Sequence, residues 1–462
     1  MSILDFLIFC LVIGVLVAIG IYKSKYIHSE SAYLFAERET KWLALSCTLV
    51  MTEFNSATLI SFSSLGYLWG FWALTLPFIF LVGLLFYAVT VAKKWKEFDG
   101  MSVAGFFTVK YGKNLGTTAS LLLLMAMIGF SAVYIKSLIL LFQPIFPTLN
   151  SWILSCLLLS IIFIMSIRGG LKAIIRTDTL STFLLLIFFP LLAFFMWKVP
   201  PSFEVDPGNI FSIAAGQKIL PIRFIISLTV LTMFTYILAP WYGQKIFSAK
   251  SSKVAFWSVF TAAIVIFFLY GLAIFATALF RYKGFGCPQS EFALPHLIQR
   301  CLPFGFKGLA YALLFISSAT TLTGVWSAMS AMLIGDFLKS EKNQKEISCN
   351  RSIYATIFFA ILSFILANTL IDSVLDKMIL ANIPVAALSF GLLAGFYWKK
   401  VSYQGVYLSI VTGSICGIGS YYIFGQAGNY TWYWTIYGIP LTFLVGTLTS
   451  LLLPPKPLLQ TN

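Results

Sequence analysis

Few residues in this chain could do chemistry, and the first is Glu53. It is the only charged side chain between Lys41 and Lys93. A carboxylate in so long an uncharged stretch is costly and marks an ion or substrate path. The residues after it, Phe54-Asn55-Ser56-Ala57-Thr58, are mostly small and polar. They predict a helix that breaks at mid-span and frees backbone carbonyls. Such breaks are tolerated in a bilayer only where the carbonyls coordinate an ion or line a cavity. The alternative is an intact helix whose Glu53 bonds to a neighbour.

Ser317-Ser318-Ala319-Thr320-Thr321-Leu322-Thr323, then Ser327 and Ser330, form a hydroxyl-rich run. Hydroxyls are hard oxygen donors suited to hard cations, and small polar residues also let membrane helices pack closely; both readings stay open. Asp178 closes the segment Arg168-Gly-Gly-Leu-Lys-Ala-Ile-Ile-Arg-Thr-Asp178, where the glycines allow a tight turn. Asp178 either pairs locally with Arg176 or Lys172 or faces an inner vestibule. Tyr236 and Pro240 precede Gln244, Lys245 and Ala249-Lys250-Ser251, and the proline marks a kink or a break. Lys136 either snorkels to the outer interface or meets a substrate carboxylate. No zinc-protease, phosphate-loop, serine-elbow or Cys-x-x-Cys motif occurs, and the two histidines, His28 and His296, fall in expected loops.

The elements that must position these residues are membrane helices. The chain is 59% hydrophobic and 10% charged, against roughly 25% charged in ordinary domains. Apolar runs near 20 residues recur throughout, which predicts an all-α membrane protein. We read about 13 transmembrane spans: 4–21, 42–68, 71–92, 115–141, 150–167, 171–197, 222–243, 253–280, 303–335, 350–371, 376–398, 404–424 and 432–453. The first lacks the basic start and small-residue cleavage site of a signal peptide. The hydrophilic pieces, such as Glu30–Lys41, Glu204–Lys218 and Ser340–Asn350, are loops. They leave no room between spans for a soluble enzymatic domain, so 1–462 reads as one membrane domain.

A net charge of +15 invites a nucleic-acid partner, but its distribution argues for none. Lys23, Lys25, Arg38, Lys41, Lys93, Lys94, Lys96, Lys110, Lys113, Arg168, Lys172 and Arg176 lie in loops of one alternate set, with Lys245, Lys250, Lys253, Lys339, Lys342, Lys345, Arg351, Lys399, Lys400 and Lys456. The other set holds only Lys198, Lys218, Arg223, Arg281, Lys283, Arg300, Lys307 and Lys377. The richer set is expected to be cytoplasmic, with the N-terminus outside and the C-terminus inside. Cys10, Cys47, Cys156 and Cys416 lie in apolar runs and read as packing residues. A disulfide between Cys287 and Cys301 is possible if their shared loop is external, and Cys349 reads as free and internal.

Taken together the segments resemble the sodium:solute symporter family over nearly the whole chain. Arg168–Asp178 looks like its Gly-Gly-Leu-x-Ala-x-x-x-Thr-Asp segment, and Gln244–Ser251 like its Gln-Arg-x-x-Ala-Ala-Lys-Ser stretch. Thr320-Thr321 stand at the family's spacing before Asp336-Phe-Leu-Lys339, and Phe396-Tyr-Trp-Lys-Lys400 with Gln404-Gly405 follow its later pattern. The resemblance implies a LeuT-type core of two inverted five-helix repeats, 42–198 and 222–400. An extra N-terminal helix and loop, 1–41, would precede it, and two extra helices, 401–462, would follow. Sodium is the implied coupling ion (Na+), held by backbone oxygens of Met51, Phe54 and Ser317 and hydroxyls of Thr320 and Thr321. Glu53 falls where proline-transporting members carry an Asp, and Asp178 matches the inner Asp on the sodium path. The implied solute residues are Asn55, Thr58, Thr232, Tyr236 and Pro240. Thr232 replaces a family Trp, and the polar set of the sugar-transporting members is incomplete.

The expected function is a sodium-coupled secondary active symporter in the cell (inner) membrane. It would import a small polar organic solute, an amino acid or a carboxylate, by alternating access. Its partners are then the solute, sodium and the lipid bilayer. The rivals are a proton-coupled transporter using Glu53 and a solute-sensing receptor on a transporter core; a membrane enzyme is disfavoured by the missing catalytic constellation.

Overall fold

The computed structural model describes residues 2–22, 36–98, 100, 102–166, 170–206, 208, 216, 220–338, 349–425 and 427–454. Among them the chain is helical, and its one β-bridge joins Thr40 to Ala249. The helices that matter below are α1 (Ile3–Tyr22), α2 (Trp42–Glu53), α3 (Ser56–Trp69) and α4 (Pro77–Phe98). They are followed by α5 (Lys113–Phe142), α6 (Ser151–Ser166), α7 (Gly170–Lys198), α8 (Ile222–Tyr236), α9 (Pro240–Phe247), α10 (Ser252–Tyr282) and α11 (Phe306–Met332).

Ten described helices are long and apolar enough to cross a membrane, or 11 if the bent pair α8 and α9 is one span. The expected 13 would also need the shorter apolar helices Ile3–Ile19 and Ser151–Ile164. Length and apolarity alone do not establish that count. The span expected over 42–68 is divided into α2 and α3, and the one expected from residue 71 becomes helical in α form only at Pro77, after a 3-10 turn over Gly70–Thr75.

A helix that is apolar all round belongs inside a bundle. That is the pattern of α2, α3 and α11: every residue from Leu45 to Glu53 and from Ser56 to Tyr67 is buried, as is nearly all of α11. Helices placed outside them turn large side chains outward, among them Ile164, Ile187 and Phe268. α1 is held against α11 by Asp5, whose Oδ1 accepts the Gly305 N–H at 2.6 Å. Gly308 allows this approach, since a Cβ there would stand 1.9 Å from the Asp5 carbonyl oxygen.

Cys287 and Cys301 are both free thiols, so the possible disulfide is not formed. His296 lies in a short helix, Ala293–Cys301, rather than a loop, with its Nδ1 3.0 Å from the Phe292 carbonyl. The basic positions Lys23, Lys25, Arg168, Lys218, Lys339, Lys342, Lys345 and Lys456, His28, and most of the loop 340–350 lie outside the described residues.

Candidate functional site: two facing helix breaks

The sequence Glu53-Phe54-Asn55-Ser56 ends one helix and begins another within four residues. Phe54 adopts φ −78° and ψ 73°, which takes the chain out of the helix. Asn55 then caps α3: its Oδ1 accepts the Thr58 N–H at 3.1 Å, and its Nδ2 donates to the Glu53 carbonyl at 2.8 Å. Asparagine suits this place because its amide bonds to backbone on both sides. The last carbonyls of any helix lack intrahelical partners, and here other helices reach them. Thr321 donates to the Met51 carbonyl at 2.9 Å, Tyr270 to the Glu53 carbonyl at 2.6 Å, and Ser317 to the Phe54 carbonyl.

Four of the five groups expected to hold sodium, those of Met51, Ser317, Thr320 and Thr321, therefore meet, and the Phe54 carbonyl is reached by the Ser317 hydroxyl. The Thr321 hydroxyl lies 2.9 Å from the Met51 carbonyl and 2.8 Å from that of Ser317; the Thr320 hydroxyl lies 3.3 Å from the same Ser317 oxygen. Oxygens this close can share one cation if the hydroxyl hydrogens turn outward. The Ser317 hydroxyl, rather than its carbonyl alone, is also engaged, a feature the sequence reading did not assign.

The second break lies between α8 and α9, whose axes differ by 46°. Pro240 occupies the first turn of α9, where its missing N–H costs nothing. The freed Ile237 carbonyl accepts the Trp95 indole N–H at 2.8 Å. Pro240, expected to mark a kink or break and, by the resemblance, to shape the solute pocket, stands at the bend; its neighbour Trp241 lines the cleft.

Glu53 spans the gap between the breaks. Tyr236 at the end of α8 donates to Oε1 at 2.5 Å, and Tyr242 in α9 donates to Oε2 at 2.9 Å. Both carboxylate oxygens are thus engaged by protein, and the carbonyls of Met51 and Phe54 flank the residue. Beside it opens a cleft of about 560 Å³ of space between atoms, its mouth included. Glu53, Asn55, Thr58, Thr232, Tyr236 and Asn382 form its polar lining, and Phe62, Phe80, Phe130, Tyr134 and Trp241 its aromatic lining. Four of the five expected solute residues are present. Thr232 turns its hydroxyl to the Leu228 carbonyl at 2.8 Å, so its methyl faces outward from that bond, against Gly83. Asn382, Trp241 and Tyr134 were missed, because nothing in their local sequence sets them apart from packing residues.

Asp178 is fully buried, and its partners come from other helices rather than from Arg176; the Lys172 side chain lies outside the described residues. Its Oδ2 stands 3.3 Å from Lys245 Nζ and accepts the Thr48 hydroxyl. Lys245 was expected in a loop of the basic set; it is instead buried in α9, where a charge is the same kind of signal as Glu53. Lys136 is half-buried and close enough to Glu291 to act on its charge.

Two broken helices facing each other around a buried cleft, in an all-helical membrane core, define a LeuT-type transporter. The sodium:solute symporter model matches residues 33–413, and the chain belongs to the sodium:solute symporter family. This is a family of transporters, not enzymes. A sodium/pantothenate symporter of Haemophilus influenzae is 25% identical over 278 residues, covering 56% of this chain and 55% of that protein. The sodium/glucose cotransporter 1 of Oryctolagus cuniculus is 20% identical over 326 residues, covering 58% and 49%. The match thus spans about half the length of these curated relatives. Among solved structures, a Na+-coupled sialic acid symporter in a substrate-bound outward-open state superposes with a TM-score of 0.80, at 18% identity over 99% of both chains. MhsT in complex with L-phenylalanine gives 0.54, at 14% identity over 89% of this chain and 100% of that one. At these identities the likeness is one of fold.

Proposed function

We propose that this protein is a sodium-coupled symporter that imports a small polar organic solute by alternating access. The observation that supports the reading is the Thr321 hydroxyl, within hydrogen-bond distance of carbonyls from both α2 and α11. Sodium joining these oxygens would hold α2 against α11 and fix the position of Asn55 and Thr58 beside the cleft. The ion is a transported substrate, released on the far side with the solute.

Of the two expected solute classes, the lining supports the amino acid. It contains the Glu53 carboxylate and no Lys or Arg. An amino acid, whose ammonium can approach Glu53 and the aromatic faces, fits this lining better than a carboxylate that carries no cationic group. The repeats are assigned to 42–198 and 222–400, with the N-terminus outside, the C-terminus cytoplasmic and the protein in the cell membrane.

Purified protein in liposomes, with an inward sodium gradient and a panel of radiolabelled amino acids and carboxylates, tests the reading. Uptake should collapse when sodium is replaced by choline, and Thr321→Ala should raise the sodium concentration for half-maximal uptake about tenfold, the effect of about 1.4 kcal/mol. Uptake that follows a pH gradient and ignores sodium would select the proton-coupled rival.

A further inference from the structure

The ion pair between Asp178 and Lys245 has the composition of a cation site with its cation already attached to the chain. Both side chains are buried, at 0% and 2% exposure. An ammonium has three N–H donors, and each has an oxygen partner: the Thr48 carbonyl at 2.9 Å, the Thr52 hydroxyl, and Asp178 Oδ2 at 3.3 Å. The Thr48 hydroxyl also donates to Oδ2. Asp178 Oδ1 is buried and makes no hydrogen bond. A carboxylate, a freely offered second oxygen, a backbone carbonyl and threonine hydroxyls are the hard ligands that alkali and alkaline-earth cations take.

The ammonium bonds to two residues of α2 one turn apart and to one of α7, while its own backbone belongs to α9. It thus sits where the inner parts of three helices meet, below the carbonyls of Met51 and Phe54 in sequence. A buried charge stripped of its partner is strongly unfavourable, so Asp178 without Lys245 would have to recruit a cation from solution.

We propose that Lys245 is a tethered cation at Asp178 that restricts this transporter to one sodium ion per cycle, bound by the oxygens of Met51, Phe54, Ser317, Thr320 and Thr321. The inference rests on the sodium-coupled reading and adds to it the stoichiometry and the residue that sets it. Lys245 is a specificity-determining residue: it decides how many ions the helix junction accepts.

The test is equilibrium binding of radiosodium to the purified full-length protein, with no solute needed. The wild type should bind about one ion per chain with a Hill coefficient of about 1. Lys245→Met should bind about two, with a coefficient rising toward 2, because the unpaired Asp178 takes a second ion. The double variant Lys245→Met with Asp178→Asn removes both charges and should return the count to about one. A wild type that binds two ions overturns the inference, and so does a folded Lys245→Met protein that still binds one. If Lys245→Met does not fold, Lys245→Gln, which removes the charge but keeps N–H donors for the Thr48 carbonyl and Thr52 hydroxyl, takes its place: two ions support the inference and one overturns it. A wild type that binds no sodium overturns the sodium-coupled reading itself, which keeps the two failures distinct.

Discussion

The hydroxyl of Tyr236 lies 2.5 Å from Oε1 of Glu53, joining the end of α8 to the end of α2 across 183 residues of sequence. With Tyr242 on Oε2 at 2.9 Å, the carboxylate holds both sides of the second break from the edge of the first. Movement at either break must therefore stretch or exchange a bond to this one side chain.

Glu53→Gln keeps the size of the side chain but turns one acceptor into a donor facing a tyrosine hydroxyl. Uptake should fall at least about tenfold, and Tyr236→Phe should cost about 2 kcal/mol of stability, the scale of a hydrogen bond to a charged group. Transport assays and thermal unfolding read the two effects. Equal uptake by Glu53→Gln and Glu204→Gln would remove Glu53 from the transport path.

Ser317 separates a carbonyl role from a hydroxyl role. Ser317→Ala removes the bond to the Phe54 carbonyl but keeps the Ser317 carbonyl. Its effect on sodium half-saturation should be smaller than that of Thr321→Ala. Sodium titration of uptake for the two variants side by side checks the order; the reverse order would move the ion toward the Ser317 hydroxyl.

Glu204 lies in the loop after α7 and accepts bonds from Ser202, Arg300 and the Gly286 N–H at 2.7, 2.6 and 3.1 Å. The Ser202 hydroxyl, then Arg300 and Gly286, pull its carboxyl down to about 2. A folded value below the unfolded one means the linkage is complete above the ordinary carboxylate range and is lost as pH falls toward 2. Protease protection of this loop should therefore be equal at pH 8 and pH 5. Glu204→Gln should expose it at both. Loss of protection in the wild type between those values would show that the carboxylate is not held this way.

Gly308→Ala would drive a methyl into the Asp5 carbonyl, and Asp5→Ala would strand the Gly305 N–H. Losing that buried bond should cost about 1–3 kcal/mol, and the glycine substitution at least as much. Both should loosen α1 and lower the melting temperature. A glycine variant as stable as wild type would mean that α1 shifts freely along α11.

Much of this was legible because membrane helices write their exceptions plainly. Glu53 and the polar run after it marked the first break, Pro240 the second, and Thr320-Thr321 the hydroxyl pair of which Thr321 meets Met51. What could not be read was which exception answers which. Asp178 had nearby bases at 172 and 176, yet its partner Lys245 lies 67 residues away. Only the bend at Pro240 directs α9 so that this lysine reaches α2 and α7. The pairing around Glu53 was equally hidden: Tyr236 was expected only as a solute residue, and Tyr242 resembles any other aromatic in an apolar run until the fold sets both opposite a carboxylate. The cleft is assembled from helices far apart in sequence, so Asn382 carries no local mark of its place.

The bridge between Thr40 and Ala249 is built from main-chain atoms: Thr40 N–H to the Ser248 carbonyl at 2.9 Å, and Lys250 N–H to the Thr40 carbonyl at 3.0 Å. It ties the start of the first broken helix to the end of the second. Such a joint is blind to side-chain identity. Mutational scans will score Lys250, whose side chain is exposed, as permissive, and sequence drift can pass over it unnoticed, while proline at 40 or 250, by deleting an N–H, would cut the tie.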